Sequence, residues 1–202
     1  MTVYINSENE IDLNNPPEFV VCIDPGQNTL GVYVINMRTK ADAMFSFPTS
    51  DNVMGVAMGV TVGKVYDKTI KALNKIREFI GESKDVALIC EQTTAAFSFS
   101  AGIISSIQTW FTLFKWLYNC PIMFVSNRIT AFFLKKKKIA NADSKKLILS
   151  QRPEWKSKID AVSKRYQIYS HPCDAVLMCW AVYYDQFEFK SLRKLKIELM
   201  YI

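Results

Sequence analysis

Three carboxylates and one imidazole stand where this chain should hold side chains rigidly, and together they could bind cations. Asp24 closes the apolar run FVVCID, Glu91 closes VALICE, and Asp174 follows the single histidine, His171, by three residues in SHPCDA. A carboxylate beside a sheet core costs several kcal/mol unless it is hydrated, paired or bound to a cation. Hard oxygen donors favour Mg²⁺ or Mn²⁺. A pair of such ions about 3.5 to 4 Å apart stabilises both the attacking and the leaving oxygen of a phosphodiester. The chemistry would then be hydrolysis of a nucleic-acid backbone.

Each of the four has an ordinary alternative. Asp-Pro-Gly at 24–26 is a common turn, and Glu91 could be a solvated strand-end acid. Asp174 could simply favour a helix dipole, and His171 could be a cap. Their order, two strand ends and one helix start, favours a shared site, because open α/β sheets gather functional groups at strand ends. If the first and fourth of the strands read below are neighbours, Asp24 and Glu91 lie on backbones about 5 Å apart. His171 and Asp174, three apart on one turn, project to the same side.

The elements that must position them are legible as periodicity. Residues 1–17 are polar, end in Asn-Asn-Pro-Pro and suggest a flexible N-terminal arm. Strand-like runs follow at 19–24, 30–37 and 43–47, then a helix over 63–81 with Val65, Ile70, Leu73, Ile76 and Ile80 near helical spacing and Gly81 as its C-cap. A strand at 85–91, a long helix at 99–118, a strand at 121–126 and helical segments complete the chain, the last helix opening at Ser-His-Pro. The order β-β-β-α-β-α-β-α predicts an α/β fold with a mixed five-stranded sheet and helices on both sides.

Composition sets the partners. With 202 residues, half of them apolar, the chain can bury a real core. Its net charge of +6 leans toward a polyanion. Five cysteines without a C-x-x-C pair read as small buried hydrophobes of a reduced compartment, which argues against structural zinc. The first residues show no secretory pattern, and the most apolar stretch, 101–118, is interrupted by Gln108 and Lys115. The expectation is an intracellular protein with no membrane partner, cytoplasmic, or in the cytoplasm or nucleus of a host if viral.

The motifs resemble the ribonuclease H superfamily, most closely RuvC-type Holliday junction resolvases of bacteria, phages and large DNA viruses. Asp24, Gly26 and Gly31 match D-x-G-x-x-x-x-G in an IDPG context, Glu91 matches a strand-end E-Q, and Asp174 matches the second acid of the last-helix motif, where His171 replaces the first. The resemblance covers roughly residues 18–186. It implies a ribonuclease H-like nuclease domain over 18–202, a homodimer, branched four-way DNA as substrate and paired nicks dependent on Mg²⁺ or Mn²⁺, with two ions per site. Asp24, Glu91, His171 and Asp174 would be the catalytic and metal-binding residues, although His171 could ligate metal or activate water.

Other residues gain roles under this resemblance. Phe97 and Phe99 could stack on bases near the junction or start a helix core face. Lys135, Lys136, Lys137, Lys138, Lys145 and Lys146 suit DNA phosphates, or form a solvated face. Gly102, Ser105, Ser106 and Thr109 make a small-residue strip for a second subunit or for the chain's own sheet. Asp143 reads as a helix cap, while Asn28 and Gln92 flank the acids. The alternatives are a relative cutting RNA or RNA/DNA hybrids, an inactive DNA-binding relative, and a phosphotransferase of the actin and sugar-kinase type. The last needs two such domains.

Overall fold

The computed structural model describes residues 1–6, 11–25, 29–48, 58–92, 119–126, 128–134, 142–163 and 170–201. Strands β1 (Thr2–Asn6), β2 (Phe19–Pro25), β3 (Thr29–Asn36), β4 (Asp42–Pro48), β5 (Val86–Gln92), β6 (Ile122–Ser126) and β7 (Glu198–Tyr201) form one sheet ordered β4-β3-β2-β5-β6-β1-β7. The run β4-β3-β2-β5-β6 is the mixed five-stranded sheet that the element order predicts for an α/β fold: β2, β5 and β6 run parallel, with β3 antiparallel to β2 and β4 antiparallel to β3. Helix α1 (Met58–Ile80) covers one face. Helices α2 (Ile129–Leu134), α3 (Asp143–Gln151), α4 (Lys156–Ser163) and α5 (Ser170–Val182) belong to the other.

The period of two assigns the faces. In β2, Val20 and Cys22 join the core under α5, and Val21 and Ile23 join the core under α1; Tyr33 and Ile35 of β3 alternate with Val32 and Val34 in the same way. Asp24 and Glu91, one step past Ile23 and Cys90, therefore fall on the α5 face. Helix α5 is buried from Ala175 to Val182, as its apolar sequence predicted. Helix α1 starts five residues before the expected Gly63 and ends where foreseen. Gly81 takes the left-handed conformation, φ +62°, that closes a helix, and its N–H donates to Arg77 O at 2.9 Å.

The sheet has two more strands than expected, and one corrects the reading of 1–17 as a flexible arm. Residues Thr2–Asn6 pair antiparallel with β6, Val3 opposite Val125 and Ile5 opposite Met123, and parallel with β7. Val3 and Ile5 are fully buried against the α5-side core, an alternation too short to stand out beside the polar residues that follow. Ile5→Ala should lower unfolding free energy by about 2 to 4 kcal/mol, read from the urea midpoint. An unchanged midpoint would mean β1 is not part of the cooperative core.

Asp143 is not the cap of the following helix: it is the first residue of α3, with Ala142 at the cap position and no side-chain capping bond. No described helix is long and apolar enough to cross a membrane. The expected helix 99–118, with Gly102, Ser105, Ser106 and Thr109, lies outside the described residues, as do Gly26, Asn28, Phe97, Phe99 and Lys135 to Lys138.

Candidate active site

Sheet register brings the first two acids together. Strands β2 and β5 are parallel neighbours with Ile23 opposite Cys90, so Asp24 and Glu91 follow side by side on the α5 face. Asp24 is buried, 3% exposed, and Glu91 is half-buried. Across β2, Asp24 pairs with Gly31 of β3. Gly31 clears the space for the third component: a Cβ there would stand 2.2 Å from His171 C, 2.4 Å from Pro172 N and 2.5 Å from His171 O. Its missing side chain thus admits the first turn of α5.

That turn delivers the imidazole. His171 Nδ1 lies 2.8 Å from Asp24 Oδ2, and the histidine side chain remains 30% exposed. With Nδ1–H donating to the carboxylate, the ring's lone pair is on Nε2. One turn further, Asp174 is anchored by Thr130 of α2, whose Oγ1 donates to Oδ1 at 3.1 Å, and by Ser144 of α3, which donates to the same oxygen.

The electrostatics are those of crowded acids in a poorly hydrated place. Burial, with the charge of Asp174, pushes the Asp24 carboxyl up to about 7 even though a hydrogen bond from Glu91 opposes the rise. Burial pushes Glu91 up to about 10, helped by the charge of Asp24 and by the hydrogen bond Glu91 donates to it. Asp174 is also raised by burial, against the hydroxyls of Ser144 and Thr130. Burial lowers His171, opposed by the charges of Asp174 and Glu91. Both acids are therefore held above the ordinary carboxyl range by burial and by each other, and a cation could replace a proton shared between them.

The donor chemistry fits a hard divalent ion: a buried and a half-buried carboxyl side by side, with a third close enough to raise Asp24. As placed, no group of three or more His, Cys, Asp or Glu side chains among the described residues is arranged around a common ion position. The other expected contacts divide. Lys145 Nζ is paired with Asp160 Oδ1 at 2.6 Å, while Lys146 is exposed on α3. Gln92 ends β5 beside Glu91.

Three residues near the cluster were not read from the sequence. Lys68 is 3% exposed, is lowered to about 8 by burial, and lies close enough for its charge to lower His171. The signal was available: Lys68, Ala72, Ile76 and Ile80 are spaced four apart, so a lysine occupies the buried stripe of α1. Thr130 and Ser144 gave no such signal, because a hydroxyl near a helix start usually reads as a cap.

No family model matches the chain, and no curated protein matches it. Among solved structures it is similar to Thermus thermophilus RuvC at 14% identity and a TM-score of 0.48, over 83% of this chain and 95% of that one. The figures are the same for T. thermophilus RuvC in complex with Holliday junction substrate. An exopolyphosphatase from Cytophaga hutchinsonii is similar at 14% identity and a TM-score of 0.33, over 58% of this chain and 37% of that one. At these values the likeness assigns no activity, and the side chains carry the functional reading.

Proposed function

We propose that this chain is a metal-dependent, structure-selective DNA endonuclease that resolves four-way junctions by paired nicks. The observation that carries the reading is the meeting of Asp24 and Glu91, side by side on β2 and β5, with His171 and Asp174 on the first two turns of α5. Asp24, Glu91 and Asp174 would hold Mg²⁺ or Mn²⁺, which when bound supplies an activated water and charge stabilisation at the 3′-oxygen leaving group. His171 is held by Asp24 through Nδ1, so Nε2 is the atom that can accept a proton from water or act as a further donor. Lys146 and the lysines at 135–138 supply phosphate contacts, and Phe97 and Phe99 supply base stacking. A homodimer places two sites across one junction, which converts a single nick into resolution.

The test is digestion of a synthetic four-way junction, a linear duplex and an RNA/DNA hybrid in parallel, with Mg²⁺ and with Mn²⁺. The junction should be nicked symmetrically to leave 5′-phosphates. Asp24→Asn, Glu91→Gln and Asp174→Asn should abolish nicking and retain junction binding in a gel-shift assay. Cleavage by any of these purified variants would remove the assignment, and preferential cutting of the hybrid would redirect it to an RNA-directed nuclease.

A further inference from the structure

Asp174 is held from one side. Thr130 Oγ1 donates to its Oδ1 at 3.1 Å, Ser144 Oγ donates to the same atom, and the two hydroxyl oxygens are 3.4 Å apart. Thr130 and Ser144 are each 3% exposed. They come from α2 and α3, which lie 44 and 30 residues from Asp174 in sequence. Among the described residues, neither Ser144 nor any other side chain caps α3. A hydroxyl near a helix start ordinarily satisfies its own helix. Here both reach across to one carboxylate oxygen of a third helix, and neither touches Oδ2.

That asymmetry has a chemical meaning. A carboxylate turns easily about its last torsion and can bind a cation through one oxygen or both. Two donors on Oδ1 remove that choice. We propose that Thr130 and Ser144 are positioning residues that clamp Asp174 through Oδ1, so that Asp174 serves the cation site as a ligand through Oδ2 alone. The inference rests on the metal-nuclease reading. It adds to that reading a pair of hydroxyls that touch neither substrate nor ion but decide how the third carboxylate binds.

The experiment is calorimetric titration of the whole chain with Mn²⁺, for wild type, Thr130→Val, Thr130→Ser and Ser144→Ala. Valine keeps the shape of threonine and loses the donor; serine keeps the donor. Thr130→Val and Ser144→Ala should each weaken Mn²⁺ binding by about tenfold or more, while Thr130→Ser stays within about twofold of wild type. Junction nicking by the two weakened variants should show a lower kcat at fixed Mn²⁺, an unchanged KM for the junction, and recovery as Mn²⁺ is raised. A role in folding alone would not move the Mn²⁺ dependence. Wild-type Mn²⁺ affinity in Thr130→Val and Ser144→Ala would overturn the clamp and leave the nuclease reading standing. Absence of Mn²⁺ binding by wild type would overturn both. Should Thr130→Val fail to fold, Ser144→Ala decides the matter.

Discussion

Gly31→Ala is expected to lower the melting temperature by about 2 to 12 °C, from an overpacking cost of about 1 to 3 kcal/mol in a chain of this size. The new methyl would meet backbone atoms: His171 C at 2.2 Å, Pro172 N at 2.4 Å and His171 O at 2.5 Å. Backbone cannot rotate away as a side-chain tip can, so β3 or the start of α5 must move by an ångström or more. The moved segment carries His171 and, one turn on, Asp174. A displacement of about 1 Å in a positioning element can cost on the order of 100-fold in rate. Nicking should therefore fall about that far even in the folded fraction. Gly63→Ala is the matched control, since a Cβ there meets nothing within 4 Å, and helix propensity favours alanine by up to about 1 kcal/mol. Wild-type melting and nicking in Gly31→Ala would mean that the helix start is not seated on Gly31.

The same glycine shows what was legible in the sequence. Asp24, Glu91 and Asp174 stood out because each follows or opens a strongly periodic element. The condition on which Asp24 and Glu91 would be adjacent is met, for β2 does pair with β5. What the sequence did not show depends on distant backbone approach and on side chains crossing between helices. Gly31 was legible only as the second glycine of the D-x-G-x-x-x-x-G motif, yet it lies inside β3 and makes room for α5. Thr130 and Ser144 reach Asp174 from 44 and 30 residues away, and no local pattern announces such a contact. Strand β1 was missed because two buried residues, Val3 and Ile5, are too few to outweigh the polar composition around them. Lys145 was read as suited to DNA phosphates or as part of a solvated face, and its ion pair with Asp160 of α4 is a contact between helices that no local pattern announces.

The second large effect sets stability against activity in the acid cluster. Without divalent cations, the wild-type chain should be more stable at pH 5 than at pH 8. The sign follows from the raised carboxyls: Asp24 moves from an ordinary 3.8 to about 7 and Glu91 from 4.5 to about 10, in both cases chiefly through burial. A group raised in the folded state contributes stability fully below its unfolded pKa and loses it as pH rises through the folded value. The loss due to Asp24 therefore begins near pH 4 and is largely complete just above 7, and Glu91 continues it toward 10. Each unit corresponds to about 1.4 kcal/mol, so Asp24 alone bears on several kcal/mol. His171, lowered by burial, runs the other way over the acid part of this range, and Lys68, lowered to about 8, opposes the trend above it. Comparison with Asp24→Asn isolates the carboxylate. That variant should melt several degrees higher than wild type at pH 8 in EDTA and show a flatter profile from pH 5 to 8, while being inactive as a nuclease. Mn²⁺ should raise the wild-type melting temperature at pH 8 and leave that of Asp24→Asn nearly unchanged, because the ion takes over the role of the shared proton. A wild-type melting temperature that holds or climbs from pH 5 to 8 in EDTA would show that Asp24 and Glu91 are not a strained, proton-sharing pair.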